Sequence, residues 1–139
     1  MNDCIFCKII NGDIPSSKVY EDDDVLAFLD ISQATPGHTL LIPKEHVRNV
    51  LDMSAETASK TFARLPKLAR AVQKATDATA MNIVNNNEEL AGQTVFHAHI
   101  HLVPRYSEND GLSIKYTVHD PDFEHLAQLA AKIKKEVNE

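Results

Sequence analysis

HAHIHLVPR, residues 97–105, places a histidine at every other position: His97, His99 and His101. Side chains i, i+2 and i+4 of an extended chain leave the backbone on one side. The stretch therefore reads as a strand with three imidazoles on one face and Ala98, Ile100 and Leu102 on the other. The apolar face needs helices to cover it, and the imidazole face needs a partner that uses nitrogen. Three of the chain's seven histidines stand in this one row.

A single metal held by all three rings fits poorly. The outer α-carbons of such a row lie about 13 Å apart. Zinc requires nitrogens converging at about 2.1 Å from different directions. A phosphoryl group suits the row better. One neutral imidazole can attack phosphorus while its protonated or N–H-bearing neighbours hold the oxygens. The preceding loop, NNNEELAGQTVF (85–96), is rich in amides and small residues, and Gln93 and Thr94 have hydrogen-bonding groups suited to phosphate.

Outward from the row, short apolar runs alternate with turn signals. Residues 19–22 and 25–30 read as strands around the turn Asp22-Asp23-Asp24, and HTLLIP (38–43) follows Pro36-Gly37 as a buried strand. Ser54 is a candidate N-cap for a helix reaching about Asp77, which Pro66 should kink or divide. MNIVNN (81–86) reads as a strand leading into the polar loop, and VFHAHIHLVPR (95–105) as the strand after it. From about Pro121, Phe123, Leu126, Leu129, Ala130 and Ile133 recur at helical spacing. The expected fold is α+β: an antiparallel sheet of about five strands, a central helix and a C-terminal helix.

The chain of 139 residues suits a single domain, 1–139, with 43% hydrophobic and 24% charged residues. A net charge of −6 disfavours long nucleic acids and anionic membranes while leaving room for a small anion at a local site. MNDCIFCKIINGD lacks the pattern of a signal peptide, and no apolar run is long enough to span a bilayer. A cytoplasmic protein is expected, in which Cys4 and Cys7 do not form a lasting disulfide.

His97-Ala-His99-Ile-His101-Leu-Val103 resembles the histidine triad pattern, His-φ-His-φ-His-φ-φ with φ apolar. With the AGQ loop, PGHTLLIPKEH and the aspartate after the second strand, residues 4–105 are similar to the Hint-like branch of that superfamily, the zinc-containing bacterial type included. The helical tail, about 121–139, lies outside the resemblance. It implies a homodimer in which two sheets join, and a purine nucleotide substrate attacked at the α-phosphorus through a covalent nucleotidyl-histidine. The implied nucleophile is His99. Phosphate contacts fall to His99, His101, Asn86, Gln93 and Thr94, and ribose to Asp30. The base pocket comprises Ile5, Phe6, Ile9, Phe28 and Ile31, which as bare residues read equally as core. His38 matches a fourth histidine of the family, catalytic or simply packed. Phosphoramidate hydrolysis, cleavage of dinucleoside polyphosphates and non-catalytic nucleotide binding remain open.

Cys4-x-x-Cys7 has three readings: a redox pair, two unrelated thiols, or half of a zinc site. A strand preceding the pair, as a thioredoxin-like site requires, has no room at residue 4. The resemblance implies that His46 and His97 complete a structural site for one Zn2+ per subunit. That would lend the first histidine of the row to a metal and leave His99 and His101 for phosphate.

Overall fold

The computed structural model describes residues 3–138. Five strands form one antiparallel sheet: β1 (Lys18–Glu21), β2 (Val25–Leu29), β3 (Thr39–Pro43), β4 (Ala80–Val84) and β5 (Ile100–Arg105), in the order β1-β2-β3-β5-β4. Four α-helices accompany it: α1 (Ile5–Ile10), α2 (Ala55–Ala63), α3 (Leu65–Thr76) and α4 (Phe123–Val137). Among the described residues no helix is long and apolar enough to cross a membrane.

Two-residue periodicity divides the sheet into two buried faces. Val25, Ala27, Leu41, Ile100 and Leu102 pack on Leu68 and Val72 of α3. Leu26, Phe28, Leu40 and Ile42 face the other way, onto Phe6 and Ile9 of α1. His101 is paired with Leu40 across β3 and β5, so it shares the α1 face. The register alone thus delivers an imidazole to the side where α1 sits.

The central helix is two helices. Ser54 caps α2 by accepting from the Thr57 amide, and Arg64 separates α2 from α3. Pro66 stands in the first turn of α3, where its missing N–H costs nothing. α1 has no counterpart in the sequence reading. It is only six residues long and is capped by a thiol, Cys4 Sγ accepting from the Cys7 amide at 3.3 Å.

The histidine strand is shorter than its alternation suggests. Pairing begins at Ile100, and residues 97–99 lie outside the sheet, with the Ala98 amide donating to the Val47 carbonyl at 2.8 Å. The backbone between His97 and His99 is therefore tied to Val47, while His101 is set by the sheet. α4 has no buried residue and exposes Phe123, Leu126 and Ile133.

Candidate active site

Each histidine of the row has a different environment. His97 is fully buried and donates from Nε2 to the Pro43 carbonyl at 2.8 Å. That fixes the proton on Nε2 and turns the Nδ1 lone pair toward Cys4 Sγ, Cys7 Sγ and His46 Nδ1, at 3.5, 3.6 and 3.2 Å. Cys7 Sγ is also 3.3 Å from His46 Nδ1. A tetrahedral ion with bonds near 2.1–2.3 Å has ligand–ligand edges of about 3.4–3.8 Å. The four side chains therefore fit a metal ion by donor type and spacing. Without a cation, burial followed by the Cys4 thiol pushes the Cys7 thiol up to about 11. A bound cation reverses that preference by stabilising thiolate.

His99 is oriented by the backbone. Its Nδ1–H donates to the His97 carbonyl at 2.7 Å, leaving the Nε2 lone pair free. The Asn85 amide donates to the His99 carbonyl at 2.9 Å and fixes the chain from the other side. Phe6 meets both His97 and His99 edge-on, with ring centroids 5.9 and 5.2 Å away. Burial lowers the His99 pKa from its ordinary value. The ring is thus held neutral and available as a nucleophile.

His38 and His101 form a directed pair. The Ala34 amide donates to His38 Nδ1 at 3.1 Å, so the proton of the neutral ring is on Nε2. His38 Nε2 is 2.9 Å from His101 Nδ1 and 3.5 Å from Asp30 Oδ2. His101 Nδ1 therefore accepts, and its own Nε2 carries a proton. Asp30, His38 and His101 also have a metal-like spacing. A cation on His38 Nε2 would require moving the proton to Nδ1, opposite the Ala34 N–H. The arrangement is a relay that presents an N–H donor.

His99, His101, Asp30 and Thr94 line a cavity of about 390 Å³, together with Ile5, Phe6, Ile9, Phe28 and Ile31. That volume lies within the range of small-molecule sites. All five expected base-pocket residues thus border it, and Phe6, Ile9 and Phe28 are core at the same time. His38 does not line the cavity; it lies behind His101, in hydrogen-bond contact with it.

Two of the expected phosphate contacts are placed differently. Gln93 is buried and turned into the loop: Oε1 accepts from the Glu88 amide and Asn49 Nδ2, while Nε2 donates to the carbonyls of Arg48 and Val95. Its backbone N–H is also engaged, with the Glu88 carbonyl. Every polar group that Gln93 could offer a phosphate as a donor is thus occupied, and it is a positioning residue. Asn86 lies beside Gly92 and does not border the cavity.

The sequence reading missed the residues that tie this loop down. Glu88 has φ +79°, an unfavourable conformation for a side chain, and its carboxylate accepts from Arg48 and Asn49. The Asn87 side chain accepts from the Val50 amide and donates to Asn85. The run of amides at 85–87 was the one available signal, and it does not reveal which amides face inward.

Burial, then the neighbouring His99 and His38, lowers the His101 pKa to about 4. In the unfolded chain it is about 6.5. Between these values the unfolded chain binds more protons, so this contribution to stability is complete above about pH 6.5 and is lost as pH falls toward 4. His38 and His99 shift in the same direction through burial, with Asp30 opposing. Melting temperature measured from pH 7.5 to 4.5 is expected to fall, and His101→Gln to make the fall shallower. An identical slope in the variant would overturn the assignment.

A sequence model of the HIT domain family matches residues 11–108. The crystal structure of SMU.412c from Streptococcus mutans UA159 superposes with a TM-score of 0.95 at 68% identity, covering 99% of this chain and 87% of that one. "Protein hit" of Bacillus subtilis is 52% identical over 134 residues, 95% of this chain and 92% of its own length. The adenosine 5'-monophosphoramidase HNT1 of Saccharomyces cerevisiae is 38% identical over 126 residues, 91% of this chain and 77% of that protein.

Proposed function

The chain belongs to the HIT domain family, and on that premise we propose that it is a nucleotide hydrolase acting on purine nucleoside 5'-phosphoramidates. The observation that carries the reading is the His99 ring, whose Nδ1–H is bound by the His97 carbonyl so that the Nε2 lone pair is free beside a nucleotide-sized cavity. The name of the yeast relative supports a phosphoramidate as the substrate class.

In this reading Nε2 of His99 attacks the α-phosphorus, an N–P bond forms, and the P–N bond breaks as the leaving nitrogen takes its electron pair and a proton from solvent, departing as the amine. The Nε2–H of His101 donates to a non-bridging oxygen and Thr94 lies close by, stabilising charge as it develops. Water then attacks phosphorus, the histidine–phosphorus bond breaks, and the nucleoside monophosphate departs. Asp30, one oxygen of which accepts from the Ser32 amide, keeps lone pairs for the ribose hydroxyls.

Cys4, Cys7, His46 and His97 would hold one structural zinc ion. It would supply no water for the reaction, because four protein ligands close its coordination. Thiolate ligands suit a reducing compartment, consistent with a cytoplasmic enzyme. A second copy of the chain is the proposed partner, supported by the open edge strand β4 and the uncovered apolar side chains of α4.

Incubation with adenosine 5'-phosphoramidate is expected to release AMP, followed by chromatography. Binding of AMP without any release from the phosphoramidate would replace this reading with a nucleotide-binding module.

A further inference from the structure

We propose that Ser16 reads the edge of the purine base, an assignment that rests on the nucleotide-hydrolase reading above. Among the described residues, Ser16 Oγ is the one buried side-chain polar atom with no hydrogen-bond partner. A hydroxyl kept from water and left unpaired is unfavourable, and native structures contain few of them. Ser16 also borders the cavity.

Its surroundings indicate what the hydroxyl is for. The polar side chains that line the cavity fall into two groups. His99, His101 and Thr94 serve the phosphate end, and Asp30 with Ser32 serves the ribose. The remaining wall, formed by Ile5, Phe6, Ile9, Ile14, Pro15 and Phe28, is apolar. Ser16 is the one polar lining side chain that belongs to neither group. An apolar slot binds a flat heterocycle by contact area but distinguishes poorly between bases, and one placed hydroxyl changes that.

The backbone at this point is fixed. The Leu29 amide donates to the Ser17 carbonyl at 2.9 Å, and Lys18 pairs with Phe28, which anchors the segment to β2. With the backbone held, rotation about χ1 is the freedom left to Oγ. The unfilled space it borders is the cavity. A serine hydroxyl both donates and accepts, so it can meet a ring nitrogen or an exocyclic group.

The test compares wild type, Ser16→Ala and Ser16→Thr. The substrates are adenosine 5'-phosphoramidate and a base-free ribose 5-phosphoramidate. Ser16→Ala is expected to raise KM for the adenosine substrate about 3–10-fold with kcat unchanged, the size of one hydrogen bond. Ser16→Thr, which keeps the hydroxyl, should recover much of the loss. With the base-free substrate, wild type and Ser16→Ala should be equal. The unliganded Ser16→Ala protein should melt no lower than wild type, because it loses an unpaired group.

An unchanged KM for the adenosine substrate would overturn the assignment. So would an equal rise with the base-free substrate, or a lowered melting temperature, which would mark a structural hydroxyl. If wild type releases no AMP, the hydrolase reading itself falls and Ser16 falls with it. Turnover by wild type with no effect of Ser16→Ala removes this inference alone.

Discussion

His99→Ala is expected to lower kcat for adenosine 5'-phosphoramidate by about 10⁴-fold or more, the scale on which removal of a covalent nucleophile acts. AMP affinity should change little, since Asp30, His101, Thr94 and the apolar wall remain. Rapid quenching during turnover, followed by intact-mass measurement, should reveal a nucleoside monophosphate adduct on wild type and none on the variant. The size of the effect follows from geometry. His99 has its Nδ1 proton committed to the His97 carbonyl and its own carbonyl held by Asn85, so the ring enters the reaction already oriented. His101 cannot substitute, because its Nδ1 accepts from His38 and its Nε2 bears a proton. His99→Asn, which keeps a polar side chain in the buried position, guards against misfolding. An adduct on both proteins would transfer the nucleophile elsewhere.

Stripping metal with a chelator is expected to lower the melting temperature by about 10 °C or more, the consequence of losing several kcal/mol in a domain of this size. Elemental analysis should find one zinc per chain beforehand. The site joins three distant parts of the chain: Cys4 and Cys7 bracket the start of α1, His46 follows β3, and His97 precedes β5. Removal leaves two thiols and two imidazoles crowded within hydrogen-bond distance of one another. Cys7→Ser should show the same loss without chelator. Turnover per folded molecule should fall far less than stability, since the ion donates no group to the reaction. Protein that contains no metal as isolated, with a melting curve indifferent to chelation, would reject the site.

How much of this was legible in the residues varies with what each residue does. The short apolar run HTLLIP and the alternation around Ile100 and Leu102 led to a sheet because burial and period two leave few other solutions. Pro66 announced the break between α2 and α3 because it lacks a donor. The convergence of Cys4, Cys7, His46 and His97 was legible only through the resemblance, since no local pattern connects residue 7 to residue 97. Other features were invisible for physical reasons. α1 is six residues capped by a sulfur atom, too short for a period. Gln93 is a residue type equally suited to a phosphate or to a buried loop, and only the positions of Glu88, Asn49, Arg48 and Val95 decide between them. The strand begins at Ile100, three residues after the first histidine, because the Val47 carbonyl takes the Ala98 amide before the sheet can. That switch sets His97 apart, turned toward Cys4, Cys7 and His46, from His99 and His101, which border the cavity.

α1 belongs to both halves of the molecule at once. Its first turn is bracketed by Cys4 and Cys7, and Phe6, between them, and Ile9, beyond them, form part of the wall of the cavity. A metal ion and a nucleotide would therefore draw on the same piece of backbone, each settling it in a position that suits the other. Their affinities are then reciprocal by thermodynamic necessity: whatever factor the ion adds to nucleotide binding, the nucleotide returns to retention of the ion.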